Sequence, residues 1–254
     1  MKRMGIGLQM FTLREELAKD FKGVLREVAA MGYEGVEFAG YGGLSAEELR
    51  DLLQELNLKA IGSHVNYQKL KDHLDEEISY LQTIGGQYII CPYLVPEERK
   101  DWERHFAFFE AVAKQVANQG LTFAYHNHDF EFQDKVGGLE VFDALYQTIA
   151  PELLKVEMDI GWVQFVGKDP LEYMKKYSGR LPLLHLKDFR RGEDGLIDTL
   201  ELGRGLINLP EVIRAASEAG TEWLIVEQDK CQNPPLECVS TSMKWLHEHY
   251  LSKL

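Results

Sequence analysis

The sequence predicts a single (β/α)8 barrel domain spanning residues 1–254, on three observations. Short apolar or β-branched runs alternate eight times with longer segments of helical spacing. The 254 residues therefore divide into units of about 30, and a (β/α)8 barrel takes about 250. No Pro/Ser-rich linker separates one unit from the next. Strands alternating with helices imply a parallel sheet. The rival is a doubly wound open sheet, but no GxGxxG or GxxxxGKS/T follows any strand, so the usual nucleotide-cradling loops are absent. Gly40-Tyr41-Gly42-Gly43 is only a glycine-rich turn, and Gly203-Arg204-Gly205 is too short to count.

The first strand is Met4 to Met10. A helix starts near Asp20, a suitable N-cap, and carries Phe21, Val24, Leu25, Val28 and Ala29 on one face up to Gly32. GVEF (35–38) is the second strand. Ser45, with Glu48 three residues on, forms a capping box ahead of Leu49, Leu52, Leu53 and Leu56. LKAIGSHV (58–65) is the third strand, and a helix from about Gln68 to Ile84 ends at Gly85-Gly86. QYIICP (87–92) is the fourth strand, followed by a helix from Asp101 to Gln119 with Trp102, Phe106, Phe109, Val112 and Val116 as its apolar stripe. LTFAYH (121–126) is the fifth strand, and Gly138 to Ile149 a helix. LLKVEMD (153–159) is the sixth strand; Asp169-Pro170 then opens a helix with an N-cap and a proline at the first helical position. LPLLHLKD (181–188) is the seventh strand, and a helix runs from Leu209-Pro210 through Ala219. EWLIVEQ (222–228) is the eighth strand, and the last helix covers about Pro235 to Tyr250.

Composition narrows the function classes. Lys+Arg number 28 against Asp+Glu 41, a formal net charge of −13. That balance argues against a protein that grips nucleic acid over a broad surface. Cys91, Cys231 and Cys238 are too few for a disulfide framework or a Cys-rich zinc site, so a cytoplasmic location is expected. The basic start is followed by only a brief apolar run, unlike a secretory signal, and no stretch approaches about 18 uninterrupted apolar residues, so no membrane partner is expected. A homo-oligomer stays open. His73, His105, His247 and His249 read as surface residues, Glu76-Glu77 as a solvated helix face, and Cys91 as a buried small hydrophobe.

In a barrel, chemistry gathers at the C-terminal ends of the strands. There the second strand ends at Glu37, the third at His64 and the fifth at His126 with His128 two residues on. The sixth ends at Asp159, the seventh at His185 followed by Lys187-Asp188, and the eighth at Glu227 followed by Asp229. Each alone has a structural reading, such as a hydrogen-bonded histidine or a turn-capping Asp188. Together they are hard to explain as packing, because buried ionisable groups are costly unless paired or bound to metal. Two imidazoles and two carboxylates, His126, Asp159, His185 and Glu227, form a divalent-metal donor set. Carboxylates suit Mn²⁺ or Mg²⁺; the second imidazole moves the set toward Zn²⁺, Co²⁺, Fe²⁺ or Ni²⁺.

The strings GLQMFTLREEL, YHNHDFEF, EMDIGW, LHLKDF, ELGRGLINLP and IVEQD, in this order, resemble the motifs of the sugar phosphate isomerase/epimerase family of xylose isomerase-like TIM barrels. That group also includes inosose dehydratases, ketose 3-epimerases and an abasic-site endonuclease branch. The resemblance spans essentially the whole chain, with YHNHDFEF and HLKD its most specific pieces. It implies one divalent metal ion on His126, Asp159, His185 and Glu227, with a departure at the first: the family commonly has Glu where this chain has His126. In the family's epimerases the first and last ligand carboxylates also act as acid and base, so the change removes one of the pair. The resemblance further implies that Glu37 and His64 line a substrate pocket, with Lys187, Arg204 and His128 around the polar groups of a sugar. The endonuclease branch has a histidine three residues after the Asp of the sixth strand; here that residue is Trp162, and with the acidic charge this excludes that branch.

The implied chemistry is proton transfer next to a carbonyl of a small-molecule sugar or sugar derivative, through an enediolate. Glu227 is the base and His126 its partner, with His128 or Lys187 as alternatives. Three readings follow: an isomerase or epimerase; a lyase or dehydratase on a keto-sugar or keto-inositol; and a carbohydrate-binding barrel without turnover.

Overall fold

A computed structural model describes residues 2–253. Eight parallel strands close into a barrel: β1 (Gly5–Gln9), β2 (Gly35–Phe38), β3 (Lys59–His64), β4 (Tyr88–Cys91), β5 (Thr122–His126), β6 (Leu154–Asp159), β7 (Leu183–Leu186) and β8 (Trp223–Val226). Each pairs with its neighbour in chain order, and β8 closes on β1 with Leu8 opposite Val226. The register shifts once, between Val36 and Glu37 where β2 meets β3. The strands read as continuous apolar runs because both faces are covered, by helices outside and by packed side chains inside. Ile61, Tyr88, Ile90, Ala124, Leu183 and Ile225 fill the interior below the site. Gly7 makes room for them: a Cβ there would lie 2.4 Å from Ile61 Cδ1.

The helices are α1 (Arg14–Ala30), α2 (Ala46–Leu56), α3 (Tyr67–Asp72), α4 (Leu74–Ile84), α5 (Trp102–Asn118), α6 (Val141–Thr148), α7 (Ile160–Phe165), α8 (Pro170–Lys176), α9 (Leu209–Ala219) and α10 (Pro235–His249). Local chemistry sets most boundaries where the residues indicate them. Ser45 and Glu48 form the reciprocal capping box of α2, and Asp169 caps α8 ahead of Pro170. Among the described residues no helix is long and apolar enough to cross a membrane.

The helix expected from Asp20 is there: Asp20 leaves helical geometry (φ −151°), its carboxylate accepts from Gly23 N at 2.9 Å and caps the segment that follows, and a further helical segment from Arg14 precedes it. Other expectations need correction. The helix over 68–84 is two, α3 and α4, because His73 leaves helical geometry. Gly137-Gly138, both at positive φ, do not open a helix; they turn a two-stranded hairpin (Lys135–Val136 with Leu139–Glu140), and α6 starts at Val141. Lys187-Asp188 lies past the end of β7, and Asp188–Arg191 pairs instead with Ile197–Leu200 in a second hairpin. His105 and Glu77 are buried rather than solvated: His105 bonds the carbonyl of Glu98, and Glu77 holds Lys69 and Tyr41. A polar residue on an apolar helix face stays buried where a neighbouring element supplies its partner.

Candidate active site

Strand alternation, with a period of two residues, carries the site. On β7 and just beyond it, Leu183, His185 and Lys187 share one face, and on β6 Glu157 and Asp159 share another. Glu37, Glu157, Asp159, His185 and Lys187 are buried to 0% exposure. They meet His64, His126 and Glu227 at the C-terminal end of the barrel. Above them lies a cavity of about 520 Å³ lined by, among others, His64, His126, His128, Glu227 and Asp229.

The expected set converges. One donor atom from each of His126, Asp159, His185 and Glu227 lies within 4.8 Å of the other three. His185 bridges two carboxylates, with Nδ1 2.9 Å from Glu227 Oε2 and Nε2 2.8 Å from Glu37 Oε2. Asp159 is oriented from three sides. Its Oδ1 accepts from Gly161 N at 2.8 Å and Trp162 N at 3.2 Å, capping α7. Asn127 accepts from its backbone N–H at 3.0 Å and donates to its carbonyl at 3.2 Å. The other carboxylate oxygen, Oδ2, is buried without a hydrogen-bond partner.

Lys187 Nζ lies 2.8 Å from Asp159 Oδ2, 3.1 Å from Glu227 Oε2 and 2.6 Å from Asp229 Oδ2. The approach to Asp159 is one of charge attraction outside hydrogen-bonding angles, which reconciles the short distance with the partnerless oxygen. Gly161 is required here, because a Cβ would come 2.9 Å from the Lys187 side chain.

A second set, His64, His126, Glu157 and His185, overlaps the first. It is closed by its own contacts: His64 Nε2 lies 2.7 Å from Glu157 Oε2 and 2.9 Å from Glu37 Oε2, and Gln9 donates to Glu37 at 2.6 Å. Glu157, Gln9 and Asn127 were not singled out from the sequence. The available signal for Glu157 was its position two residues before Asp159, on the same strand face. Arg204 is not brought in: its half-exposed guanidinium pairs with Glu201 at 3.3 Å, away from the cavity lining. Glu37 and Lys187 lie beneath the lining rather than in it.

Burial opposes charge on every group here, and the neighbours decide which groups keep it. Burial alone would raise the Glu227 carboxyl, but Lys187 and His185 outweigh it and hold Glu227 well below the usual carboxylate range. Burial likewise opposes the His64 cation, yet Glu37 and Glu157 lift it to about 10. At His126 and His128 burial and the neighbouring cations win, although Glu157 lies 3.1 Å from His126 Nδ1 and Glu227 acts on His128. His126 falls well below its ordinary value, and His128 falls to about 3. Both are neutral at pH 7, with a lone pair free to ligate or to accept a proton.

Glu131 supports His128 from behind, accepting from its backbone N–H at 2.8 Å and from Tyr125 OH at 2.7 Å. Burial raises its carboxyl to about 8 despite these donors. A carboxyl raised from 4.5 in the unfolded chain to about 8 in the fold contributes stability below pH 4.5 that is lost as pH climbs through 8. Denaturant titrations across that window are expected to show a fall of roughly 3–5 kcal/mol from this group, flattened in Glu131→Gln. Equal pH slopes in the two proteins would show that the carboxyl is ionised throughout.

The donor chemistry fits a divalent cation. Four buried carboxylates, Glu37, Glu157, Asp159 and Glu227, are shared among the Lys187 ammonium and the His64 and His185 cations, and Asp159 Oδ2 and His126 Nδ1, which make no hydrogen bond, are donors open to a divalent cation. Comparison with known proteins agrees in fold. An inosose dehydratase of Geobacillus kaustophilus is 26% identical over 206 residues, covering 71% of this chain. The chain spans less than two thirds, 64%, of that relative's length. An inosose dehydratase of Bacillus cereus is 22% identical over 90% of this chain and 89% of its own. A solved sugar phosphate isomerase/epimerase of Parabacteroides distasonis superposes with a TM-score of 0.82 at 24% identity, over 97% of this chain and 98% of its own. The IolI protein, solved with a bound zinc atom, superposes with a TM-score of 0.77 at 16% identity over 99% of both chains. Residues 25–249 match the sequence pattern of one family across the closed eight-strand barrel, and on that match the chain belongs to the xylose isomerase-like TIM barrel family.

Proposed function

We propose that the protein is a metal-dependent isomerase or epimerase of a sugar or sugar derivative, acting by proton transfer at the carbon next to a carbonyl. The observation that carries this reading is the convergence of His126, Asp159, His185 and Glu227 within 4.8 Å, with His126 and Glu227 lining the cavity and Asp159 and His185 buried beneath it. These four would hold the cation, and the bound zinc of the IolI protein supports the assignment. A divalent cation there supplies a Lewis acid for the carbonyl oxygen.

The chain's own groups handle the proton. Glu227 is ionised, reaches the cavity wall and accepts the proton from carbon. The partner group, where a carboxylate is usual, is His126 when it is not holding the cation, or else His128, which is neutral and lines the cavity, or the Lys187 ammonium as a proton donor. Glu37 holds the His185 ring through Nε2, and Asn127 ties the ends of β5 and β6 together, so both ligand side chains are oriented before substrate arrives.

The second reading, a lyase or dehydratase on a keto-sugar or keto-inositol, is favoured by His126 in place of a carboxylate and by the names of the sequence relatives. The two share the first proton removal and differ in the product. Metal-loaded protein and a keto-sugar panel in D₂O separate them. Deuterium entering carbon without loss of mass supports the first, and loss of water supports the second. Absence of exchange with every member, at full metal content, overturns both. His185→Ala is expected to lose bound metal; full retention would remove His185 from the ligand set.

A further inference from the structure

The proposed reaction needs a second group to exchange a proton with substrate, and geometry separates the three candidates. His126 belongs to the donor set for the cation. Lys187 is fully buried, and its ammonium is tied to Asp159, Glu227 and Asp229 at 2.8, 3.1 and 2.6 Å. His128 lines the cavity together with Glu227. The strands that precede them, β5 and β8, stand three places apart around the barrel, so the two side chains reach the cavity from different sides.

The His128 ring is held by other rings. Its backbone N–H is fixed by Glu131, but Nδ1 is buried with no hydrogen-bond partner. Phe130 stacks on the imidazole, with centroids 5.8 Å apart and 11° between the planes. Tyr93 meets it edge-on at 5.0 Å. One side chain from the loop between β4 and α5 pins both of those rings. The Arg99 guanidinium carbon lies 3.4 Å from the Phe130 ring centre and 4.9 Å from that of Tyr93. Its Nε donates to the carbonyl of Leu94 at 2.8 Å. A guanidinium stacks on aromatic faces through its planar fork, which an ammonium lacks. Phe130 is buried, whereas Tyr93 is 40% exposed at the cavity wall. Tyr93 is therefore the loose side of the clamp, and Arg99 ties it to the loop after β5.

We propose that His128 is the partner of Glu227 in proton transfer and that Arg99 is its positioning residue, acting through the clamp of Tyr93 and Phe130. Glu227 takes the proton on carbon. His128 accepts a substrate hydroxyl proton and returns it within the same turnover, so neither side chain is changed at the end. Arg99 is not part of the cavity lining and acts only through the rings. The inference rests on the proton-transfer reading above and adds which group completes it and what orients that group.

The test uses the metal-loaded full chain, the keto-sugar panel in D₂O, and isotopically labelled histidine to follow the His128 ring. In Arg99→Ala the His128 ring signal is expected to shift and broaden, with or without sugar, as its contacts with Phe130 and Tyr93 loosen. The His185 signal and the metal content are expected to stay as in the wild type. Deuterium exchange at saturating sugar is expected to fall by about 10–100-fold, the cost of misplacing a reacting group by about 1 Å, with KM little changed. His128→Ala is expected to cost about 10²–10⁴-fold. Adding Arg99→Ala to it is expected to cost nothing further, since nothing is left to position. Arg99→Lys keeps the charge without the planar fork and is expected to stay slow. Tyr93→Leu, at an exposed position, is expected to repeat the shift and the loss if Arg99→Ala does not fold. The proposal is overturned by an unmoved His128 signal in both clamp variants, by wild-type exchange in His128→Ala, by an equal further loss in the double variant, or by full recovery in Arg99→Lys. Absence of exchange by the wild type with every sugar would sink the reaction proposed above, and the His128 signal would then decide the clamp by itself.

Discussion

Glu227→Gln is expected to lower deuterium exchange from solvent into substrate by about 10²–10⁴-fold, the usual cost of removing one general base. The amide keeps the volume and the hydrogen-bonding reach of the carboxylate but cannot accept the proton. It also cannot replace the charge that pairs with Lys187 at 3.1 Å and with His185 at 2.9 Å, so the variant is also expected to bind metal more weakly. The comparison is therefore made at saturating metal, with metal content measured on the same sample. A metal-replete variant that exchanges at the wild-type rate would move the base elsewhere, and His128 is the next group to replace.

Lys187→Met is expected to destabilise the metal-free protein by about 3–5 kcal/mol, the cost of leaving buried charge without its partner. Asp159, Glu227 and Asp229 all turn an oxygen toward the ammonium, and methionine keeps the packing stem beside Gly161 while removing the charge. The same geometry predicts rescue. A divalent cation held by Asp159 and Glu227 supplies the missing charge, and a ligand that binds only the folded state at 100 times its dissociation constant adds about 2.7 kcal/mol. Added Mn²⁺ or Zn²⁺ is therefore expected to raise the stability of the variant more than that of the wild type. An unchanged metal-free stability would show that Lys187 is not what neutralises the carboxylates. Equal metal response in both proteins would separate its position from the cation site.

The barrel was legible because its signals are local and repeated. The strand runs end within a residue or two of their observed limits, and Asp20, Ser45 and Asp169 cap helices where their side chains predict it. His126, Asp159, His185 and Glu227 were legible as a set for a topological reason: in a barrel, a polar residue at a strand's C-terminal end has one bowl to face. Breaks in regular structure were not legible. His73, Gly137-Gly138 and the hairpin beginning at Asp188 depend on what packs against them, and no periodicity encodes that.

The sequence by itself determined the alternation of strands and helices, the family motifs and the residue types at the strand ends, because each depends on side chains a few positions apart. Only the tertiary structure decided which of those residues share charge. Glu157 joins the buried network because β6 is flanked by β5 and β7, which bring His126 to 3.1 Å and His185 to 3.4 Å. Lys187 becomes the counter-charge to three carboxylates because β6, β7 and β8 end side by side, and Arg204 turns away to Glu201. Asp188 closes on amides 15 to 19 residues ahead of it. Ionisation and orientation in the site are set by distances of a few ångströms between groups far apart in the chain, and it is closure of the barrel that sets those distances.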